Sequence, residues 1–262
     1  MRSLAVLVVL LSLLSGCGLL PDKIDETAKW SASRLYSEGH DAMTEGAYDK
    51  AIKLFEKLEA RYPYGRYSQQ AQIETAYAHF KMNEPTSAVA ACDRFIRLHP
   101  NHPNVDYAYY LKGLASFNED QGLLGKISAQ DMTERDPKAL KESFDAFKDL
   151  VTKFPESRYT PDATLRLNYL VNAMASHEVH VARYYLNRGA YVASVNRAQE
   201  SLKTYPDAPA NEEALFILVK AYDAMDMKDL RDDADRVLRK NFPQSKYFAR
   251  GNGSDEPWWK LW

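Results

Sequence analysis

The sequence predicts an all-α protein, a right-handed superhelical solenoid of about five stacked helix pairs. Amphipathic helical patterns fill the chain after its N-terminal segment, without the alternation that strands show. Five of these patterns end at a Pro, which cannot continue a helix and disfavours helical backbone at the residue before it. These stops are Tyr62-Pro63, His99-Pro100, Phe154-Pro155, Tyr205-Pro206 and Phe242-Pro243, and a second aromatic follows three of them, at Tyr67, Tyr159 and Tyr247.

The first helix pair resembles a tetratricopeptide repeat, a helix–turn–helix motif of about 34 residues. The motif has small residues where the two helices cross and a large residue that fills the space between them. Counting back from Pro63 places Gly39 and Ala51 at the small positions and Phe55 at the large one. Gly46-Ala47-Tyr48 marks the turn between the two helices. This match predicts the same architecture for the pairs that follow.

The repeat domain is expected to span residues 32–248. Its third group is long because a polar stretch with Gly and Pro, 118–138, interrupts it, and we interpret this stretch as an inserted loop. In the fourth group the small residues Ser194 and Ala198 replace the Ala and Phe of the first, so the helix packing must differ there. The charged second helix of the fifth group suits a terminal repeat that faces water. The groups are about 32–67, 68–104, 105–159, 160–209 and 210–248.

The N-terminus is predicted to contain a secretion signal and a site of lipid attachment. Residues 1–16 have one positive charge, a short apolar run and small residues at the end, as a secretory signal peptide does. Leu14-Ser15-Gly16-Cys17 resembles the bacterial lipobox, and the alternative is an ordinary signal peptide with a chance Cys. Acylation of Cys17 would attach the chain to a membrane through a lipid anchor, with residues 17–31 as the acylated Cys and tether. By the sorting rule for such lipoproteins, Gly18 sends the protein to the outer membrane, on its periplasmic face.

The other end of the chain is a Trp-rich tail, residues 249–262. Three of the four Trp residues lie in its last five positions. Either the tail folds back as a cap, or it docks on a partner or on a headgroup layer.

Composition and motifs argue against nucleic-acid binding and against catalysis. The net charge is −2, so no nucleic-acid partner is expected. His177 and His180 share a helix face without a third ligand at metal spacing, and His99 and His102 flank a Pro-rich turn. Cys92 lies in an apolar helical pattern and is expected to be a small buried hydrophobe. We therefore expect no catalytic residues, no metal and no cofactor.

The first helices of the N-terminal pairs are predicted to line a groove. In this architecture the first helices form the concave face, and an apolar groove usually marks a binding site. The expected ligand is an extended or C-terminal peptide rich in aromatics, and the alternative is that some of the rings pack against neighbouring helices. The predicted groove residues are Tyr36, Tyr77, Phe80, Tyr107, Tyr110 and Phe117, with Tyr64, Arg66 and Tyr67 at the rim. The candidates for binding a peptide carboxylate are Arg66, Lys81, Arg94 and Arg97, and the sequence does not choose among them.

Longer stretches resemble one family over nearly the whole mature length, the ComL family of outer-membrane assembly lipoproteins. The stretches are Arg61-Tyr-Pro-Tyr-Gly-Arg-Tyr-Ser-Gln-Gln70, Asp93-Arg-Phe-Ile-Arg-Leu-His-Pro-Asn-His-Pro-Asn104, Arg135-Asp-Pro137 with Ala146-Phe147, and Tyr184-Tyr185 through Arg188-Gly-Ala-Tyr191 to Val195-Asn-Arg197. Together they are far more specific than a generic repeat match. The Trp-rich tail is similar to that of only some members, so its role cannot be carried over.

The resemblance implies a non-enzymatic subunit of the outer-membrane β-barrel assembly (Bam) complex. Its N-terminal repeats are implied to receive the C-terminal targeting signal of unfolded outer-membrane proteins, which ends in an aromatic. Its C-terminal repeats are implied to dock the POTRA region of a BamA-like barrel-forming subunit, and accessory Bam lipoproteins are further implied partners. The residues that the resemblance suggests for docking are Arg188, Gly189, Tyr191, Asn196 and Arg197, with Arg197 as an ionic contact.

Two other classes of protein stay open from the residues alone. One is a different periplasmic repeat scaffold, a lipoprotein associated with peptidoglycan or envelope growth. Co-purification with a β-barrel protein, rather than with cell-wall material, separates it from an assembly subunit. The other is a cell-wall enzyme, against which the missing catalytic set argues.

Overall fold

A computed structural model describes residues 25–118 and 137–249, and all of its regular structure is helical. The predicted all-α fold is confirmed. The helices are α1 (Ala32–Thr44), α2 (Tyr48–Arg61), α3 (Arg66–Lys81), α4 (Pro85–Leu98), α5 (Val105–Asn118), α6 (Pro137–Lys153), α7 (Thr160–Asn187), α8 (Tyr191–Thr204), α9 (Asn211–Ala224), α10 (Lys228–Asn241) and α11 (Lys246–Ala249).

Helices that follow one another in the chain pack together as a stack of pairs. The pairs are α1 with α2, α3 with α4, α5 with α6, α7 with α8 and α9 with α10, and each pair also packs on the next. First helices of neighbouring pairs meet as well, α1 with α3, α3 with α5 and α7 with α9. This is the tetratricopeptide-like arrangement that the sequence predicts.

Every aromatic-Pro or His-Pro dipeptide ends a helix at the residue before it. The amide before each Pro still donates to the carbonyl four residues back, at 2.8 Å from Tyr62 to Leu58 and at 2.8 Å from Phe242 to Leu238. The backbone has then left the helical region, with φ of −131° at Tyr62 and −128° at Phe242. Because Pro has no amide hydrogen and excludes helical backbone at the preceding residue, the helix cannot continue.

A glycine facing a phenylalanine brings the two helices of a pair close together. A Cβ at Gly39 would lie 2.5 Å from Cε1 of Phe55, and a Cβ at Gly113 would lie 2.5 Å from Cε1 of Phe147. Both rings are fully buried. The third pair adds a hydrogen bond at the crossing, because the hydroxyl of Ser143 donates to the Gly113 carbonyl at 2.9 Å.

The fourth pair packs without a ring at this crossing. Ser194 is fully buried, and its hydroxyl donates to the carbonyl of Ala182 at 2.8 Å. Ala198 is also fully buried against the other helix. A short polar contact therefore replaces the bulk of a phenylalanine and lets α7 and α8 approach.

Several predicted segments fall wholly or partly outside the described residues. These are the signal peptide, Cys17 and most of the tail, and the 118–138 insertion is described only at its ends. Asn118 closes α5, while Pro137 and Lys138 already belong to α6.

The last part of the predicted tether is fixed to the second helix. The Asp25 carboxylate accepts hydrogen bonds from Lys57 Nζ at 2.7 Å and from the Arg61 guanidinium. Arg61 also donates to the Thr27 carbonyl, and the Tyr62 hydroxyl donates to the Trp30 carbonyl at 3.1 Å. We call this set of contacts the N-terminal clamp.

Gly39→Ala is predicted to destabilise the fold, because the new methyl group must displace the buried Phe55 ring. We expect a loss of about 1–3 kcal/mol in the free energy of unfolding, measured by urea denaturation. Ser37→Ala, on the exposed side of the same helix, is the control and should change stability by less than about 0.5 kcal/mol. Adding Phe55→Leu should recover part of the loss, and strictly additive effects of the two changes would contradict the crossing geometry.

The clamp predicts a pH dependence of stability. The hydrogen bonds from Lys57 and then Thr27 hold the pKa of Asp25 well below its usual range. A carboxylate with a depressed folded-state pKa contributes stability above its unfolded pKa of about 3.9, and that contribution is lost as the pH falls through the folded value. Wild type should therefore exceed Asp25→Asn in stability by a constant amount above about pH 5, and the gap should narrow below about pH 4. A gap that widens on acidification would overturn the assignment.

Candidate functional site

The first helices of the three N-terminal pairs share one cavity. It has a volume of about 480 Å³, and the turn before α5 and the corner after α6 complete its wall. The lining residues are His40, Met43, Gln70, Ile73, Glu74, Tyr77, Pro103, Asn104, Asp106, Tyr107, Arg158 and Tyr159. The α1–α3 and α3–α5 contacts hold its three helices side by side.

Two of the predicted groove residues, Tyr77 and Tyr107, lie in this lining. Both are half-buried, and the Tyr107 ring packs on that of Tyr159 with centroids 5.4 Å apart. Burial raises the pKa of Tyr107 well above its usual range, so its hydroxyl stays protonated at neutral pH. The cavity thus offers phenol rings with polar ends.

The other predicted groove rings lie outside this lining as the described residues define it, and most pack on other rings. The Tyr36 ring lies 5.4 Å from that of Tyr67, and the Tyr110 ring stacks on Tyr159 at 4.8 Å. The alternative given above, that rings pack between helices, therefore describes these residues. Phe80 packs against the cluster around Cys92, the Phe117 ring lies 5.8 Å from Tyr169, and Tyr64 is 91% exposed.

A basic residue followed by Tyr recurs three residues after Pro and forms the same corner three times. The Arg66 guanidinium lies 4.8 Å from the centroid of the Tyr67 ring, and that of Arg158 lies 4.7 Å from the Tyr159 centroid. In the last corner, Lys246 Nζ lies 5.1 Å from the centroid of Tyr247. Each Tyr in turn packs on an aromatic of a preceding first helix, namely Tyr36, Tyr110 and Phe216. The first two corners therefore link one pair to the next, and the third packs back on the last pair.

Glu74 is a buried acidic residue in the cavity wall. It is only 9% exposed, and its carboxylate accepts from the Tyr36 hydroxyl at 2.6 Å and from Gln70 Nε2 at 3.1 Å. His40 Nδ1 lies 3.1 Å from its other oxygen. Burial and then the bond to Glu74 raise the pKa of Tyr36 well above its usual range, so the phenol remains a donor. Sequence reasoning missed Glu74 because nothing in its local spacing marks it.

The basic residues proposed for a peptide carboxylate do not line this cavity within the described part of the chain. Arg94 pairs with Glu59 at 2.9 Å, and Arg66 lies over Tyr67. Lys81 and Arg97 are exposed. Arg158 is the basic residue that does line it, and the repeated Pro-x-x-Arg-Tyr spacing was the signal that could have found it.

The predicted docking residues lie on the α7–α8 turn and on α8. Gly189 has φ of +74°, a conformation that favours glycine, and so permits the tight turn. The Arg188 guanidinium lies 5.3 Å from the ring centroid of Tyr184, which is 53% exposed. Asn196 is exposed, whereas Tyr191 is half-buried against the C-terminal core.

Arg197 already has a partner within the chain. Its guanidinium pairs with Glu178 of α7 at 3.1 Å. Glu178 in turn lines a second cavity of about 470 Å³, whose apolar wall includes Phe144, Met174 and Tyr205. The ion pair therefore borders a recess between α6, α7 and the corner after α8.

His99, His102 and the buried Cys92 have structural surroundings. His99 Nε2 lies 2.9 Å from the side-chain oxygen of Gln72, and the His102 ring contacts that of Phe95. Burial raises the pKa of the Cys92 thiol to about 12, so it stays protonated. Within the described residues, no group of three His, Cys, Asp or Glu is arranged to hold a metal ion.

A family model and relatives of similar sequence agree on one family. A family model described as an outer membrane lipoprotein, YfiO, matches residues 28–238. A protein of Neisseria meningitidis serogroup B (strain ATCC BAA-335 / MC58), described as outer membrane protein assembly factor BamD, is 46% identical over 266 residues that cover all of both chains. A protein of the same description from Xylella fastidiosa (strain Temecula1 / ATCC 700964) is 37% identical over 98% of this chain and 84% of its own. A crystal structure of MamA is a distant likeness, 17% identical with a TM-score of 0.40, covering 86% of this chain and 98% of that one.

Proposed function

The chain belongs to the family of outer membrane lipoproteins that includes the assembly factor BamD, and we propose that it is a lipid-anchored periplasmic subunit of the β-barrel assembly complex. In this proposal the N-terminal cavity binds targeting peptides of unfolded outer-membrane proteins. The C-terminal repeats dock the POTRA region of a BamA-like barrel-forming subunit, and accessory Bam lipoproteins bind as well. The protein has no catalytic role, in keeping with relatives described as assembly factors.

The observation that carries the peptide-binding proposal is the cavity shared by α1, α3 and α5. Three successive first helices present Met43, Ile73, Tyr77 and Tyr107 to it. Pockets of this size that combine apolar rings with a few polar groups are typical binding sites. An extended peptide could place apolar parts of its side chains against Tyr77 and Tyr107, where apolar surface would be removed from water.

The docking proposal is supported by exposed side chains on the α7–α8 turn and on α8. Val192 is 66% exposed at the start of α8, close in sequence to Arg188 in the turn and to the exposed Tyr184 at the end of α7. A surface that combines exposed aromatic, aliphatic and Arg side chains resembles the composition of protein interfaces. The Arg197–Glu178 pair and its neighbouring recess extend this surface towards α6.

Membrane attachment is proposed through Cys17, which lies outside the described residues. Among helices of the described chain, none combines the length and apolar character needed to cross a bilayer. An acyl anchor with two or more chains would hold the chain stably at the membrane surface.

Tyr77→Ala and Tyr107→Ala are predicted to weaken binding of an aromatic-ended barrel-protein peptide. We expect each to raise the Kd about five- to thirtyfold, as truncation of an interface anchor does, measured by fluorescence anisotropy with a labelled peptide. Tyr64→Ala is the matched control, because that ring is 91% exposed and does not line the cavity. Circular dichroism checks that each variant folds. Equal effects of all three changes would contradict the assignment of the cavity.

Arg197→Glu is predicted to reduce co-purification of the BamA-like subunit by at least about fivefold, since it reverses a charge beside the proposed docking surface. The change also places two carboxylates together, so it must be separated from an internal effect. The double change Arg197→Glu with Glu178→Arg restores an ion pair within the chain while leaving the surface charges exchanged. We expect it to recover stability and to remain defective in docking. Full recovery of docking would show that Arg197 acts only within the chain.

A further inference from the structure

The cavity contains a buried carboxylate, that of Glu74, which forms no ion pair with a Lys or Arg of the described chain. Glu74 is held by the Tyr36 hydroxyl, by Gln70 and by His40. Among residues 25–118 and 137–249, its ion-pair contact is with His40, and no Lys or Arg pairs with it. Burial of a carboxylate is costly unless hydrogen bonds and opposite charge compensate it. The hydrogen bonds offset part of the cost of burying Glu74, and a ligand could supply the opposite charge.

A second carboxylate faces the same cavity. Asp106 accepts from the Ser157 hydroxyl at 2.6 Å and from the amide of Tyr107 at 2.8 Å, and these donors are neutral. The one Lys or Arg in the lining, Arg158, is exposed and directed onto Tyr159. Arg158 nevertheless interacts with the charge of Asp106, so the wall at the start of α5 is partly balanced. The wall formed by α3, which carries Glu74, is acidic.

The neighbours of Glu74 suit a cation with an apolar stem. Tyr77 lies three residues after Glu74 on α3, so the two side chains share a helix face. Tyr107 enters from α5 and follows Asp106 directly. Aromatic faces attract Lys and Arg side chains and pack against their methylene groups. A peptide carboxylate beside Glu74 would instead meet like charge.

We propose that this cavity binds a Lys or Arg side chain of the peptide, with Glu74 as its ion-pair partner and Tyr77 and Tyr107 beside its stem. The inference rests on the proposed function and specifies its ligand. The preferred segment of an unfolded barrel protein carries a basic residue close to its aromatic residues. Glu74 is then a specificity-determining residue, which distinguishes basic from neutral peptides of the same length and shape.

The test uses the full mature protein and a set of peptides that end in an aromatic residue. Lys replaces each interior position in turn, and norleucine at the same position is the neutral partner of similar length. At one position or more, the Lys peptide should bind about tenfold tighter than its norleucine partner at low salt, and the ratio should fall as salt rises. In Glu74→Gln the ratio should fall to near one. The amide oxygen in this variant can still accept from Tyr36.

Glu59→Gln is the matched control. Glu59 is a half-buried carboxylate, but it pairs with Arg94 and does not line the cavity, so this variant should keep the Lys preference. If Glu74→Gln fails to fold, the Lys-to-norleucine ratio in wild type still decides the question.

The outcomes separate this inference from the proposed function. Tight binding of aromatic-ended peptides, with no preference for Lys at any position, would overturn the inference and leave the function in place. A Lys preference that survives intact in folded Glu74→Gln would also overturn it. Failure of wild type to bind any of the peptides would reject the peptide-binding function, and the inference with it.

Discussion

Close approach of the two helices within each pair is the constraint on which the rest of the structure depends. In the first and third pairs, the missing Cβ of a glycine makes room for a buried phenylalanine ring. In the fourth pair, the hydroxyl of Ser194 donates a hydrogen bond to the backbone of the opposite helix, and the two helices approach closely without a ring between them. Pairs held in this way can stack in register, and basic-Tyr corners connect the first pair to the second and the third to the fourth. Only then do α1, α3 and α5 lie side by side and enclose a cavity.

Features fixed by local covalent chemistry were predictable from the sequence. Pro63 ends a helix in any context, and the spacing from Gly39 to Phe55 identifies a helix crossing. Contacts between pairs were not predictable in the same way. Tyr36 and Glu74 are 38 residues apart, and no local period relates them. The same limit explains why Tyr36 and Tyr110, correctly placed on first helices, pack on corner tyrosines instead of lining the cavity. Arg158 is an intermediate case, because aligning the repeated Pro-x-x-Arg-Tyr stretches of the sequence would have identified it.

Folding also reverses the electrostatic character that the sequence led us to expect. The basic candidates were chosen to meet a peptide carboxylate, yet Arg66 and Arg94 are engaged with Tyr67 and Glu59. The carboxylates of Glu74 and Asp106 lie in the wall, where they accept hydrogen bonds from the hydroxyls of Tyr36 and Ser157. A solenoid needs few residues to form such a wall, since each helix contributes only one or two side chains. The chemistry of the cavity is therefore a property of three repeats together and of none alone.

The N-terminal clamp has a consequence for where the array can work. Asp25 follows Cys17 by eight residues, so even a fully extended connection spans at most about 29 Å. With lipid on Cys17, as proposed, the first helix pair is held within roughly one bilayer thickness of the headgroups. Encounters with other membrane-bound subunits then become a search in two dimensions, at a high effective concentration. The short connection held by Asp25 would thus influence how often the partners meet, independently of the contacts in their interface.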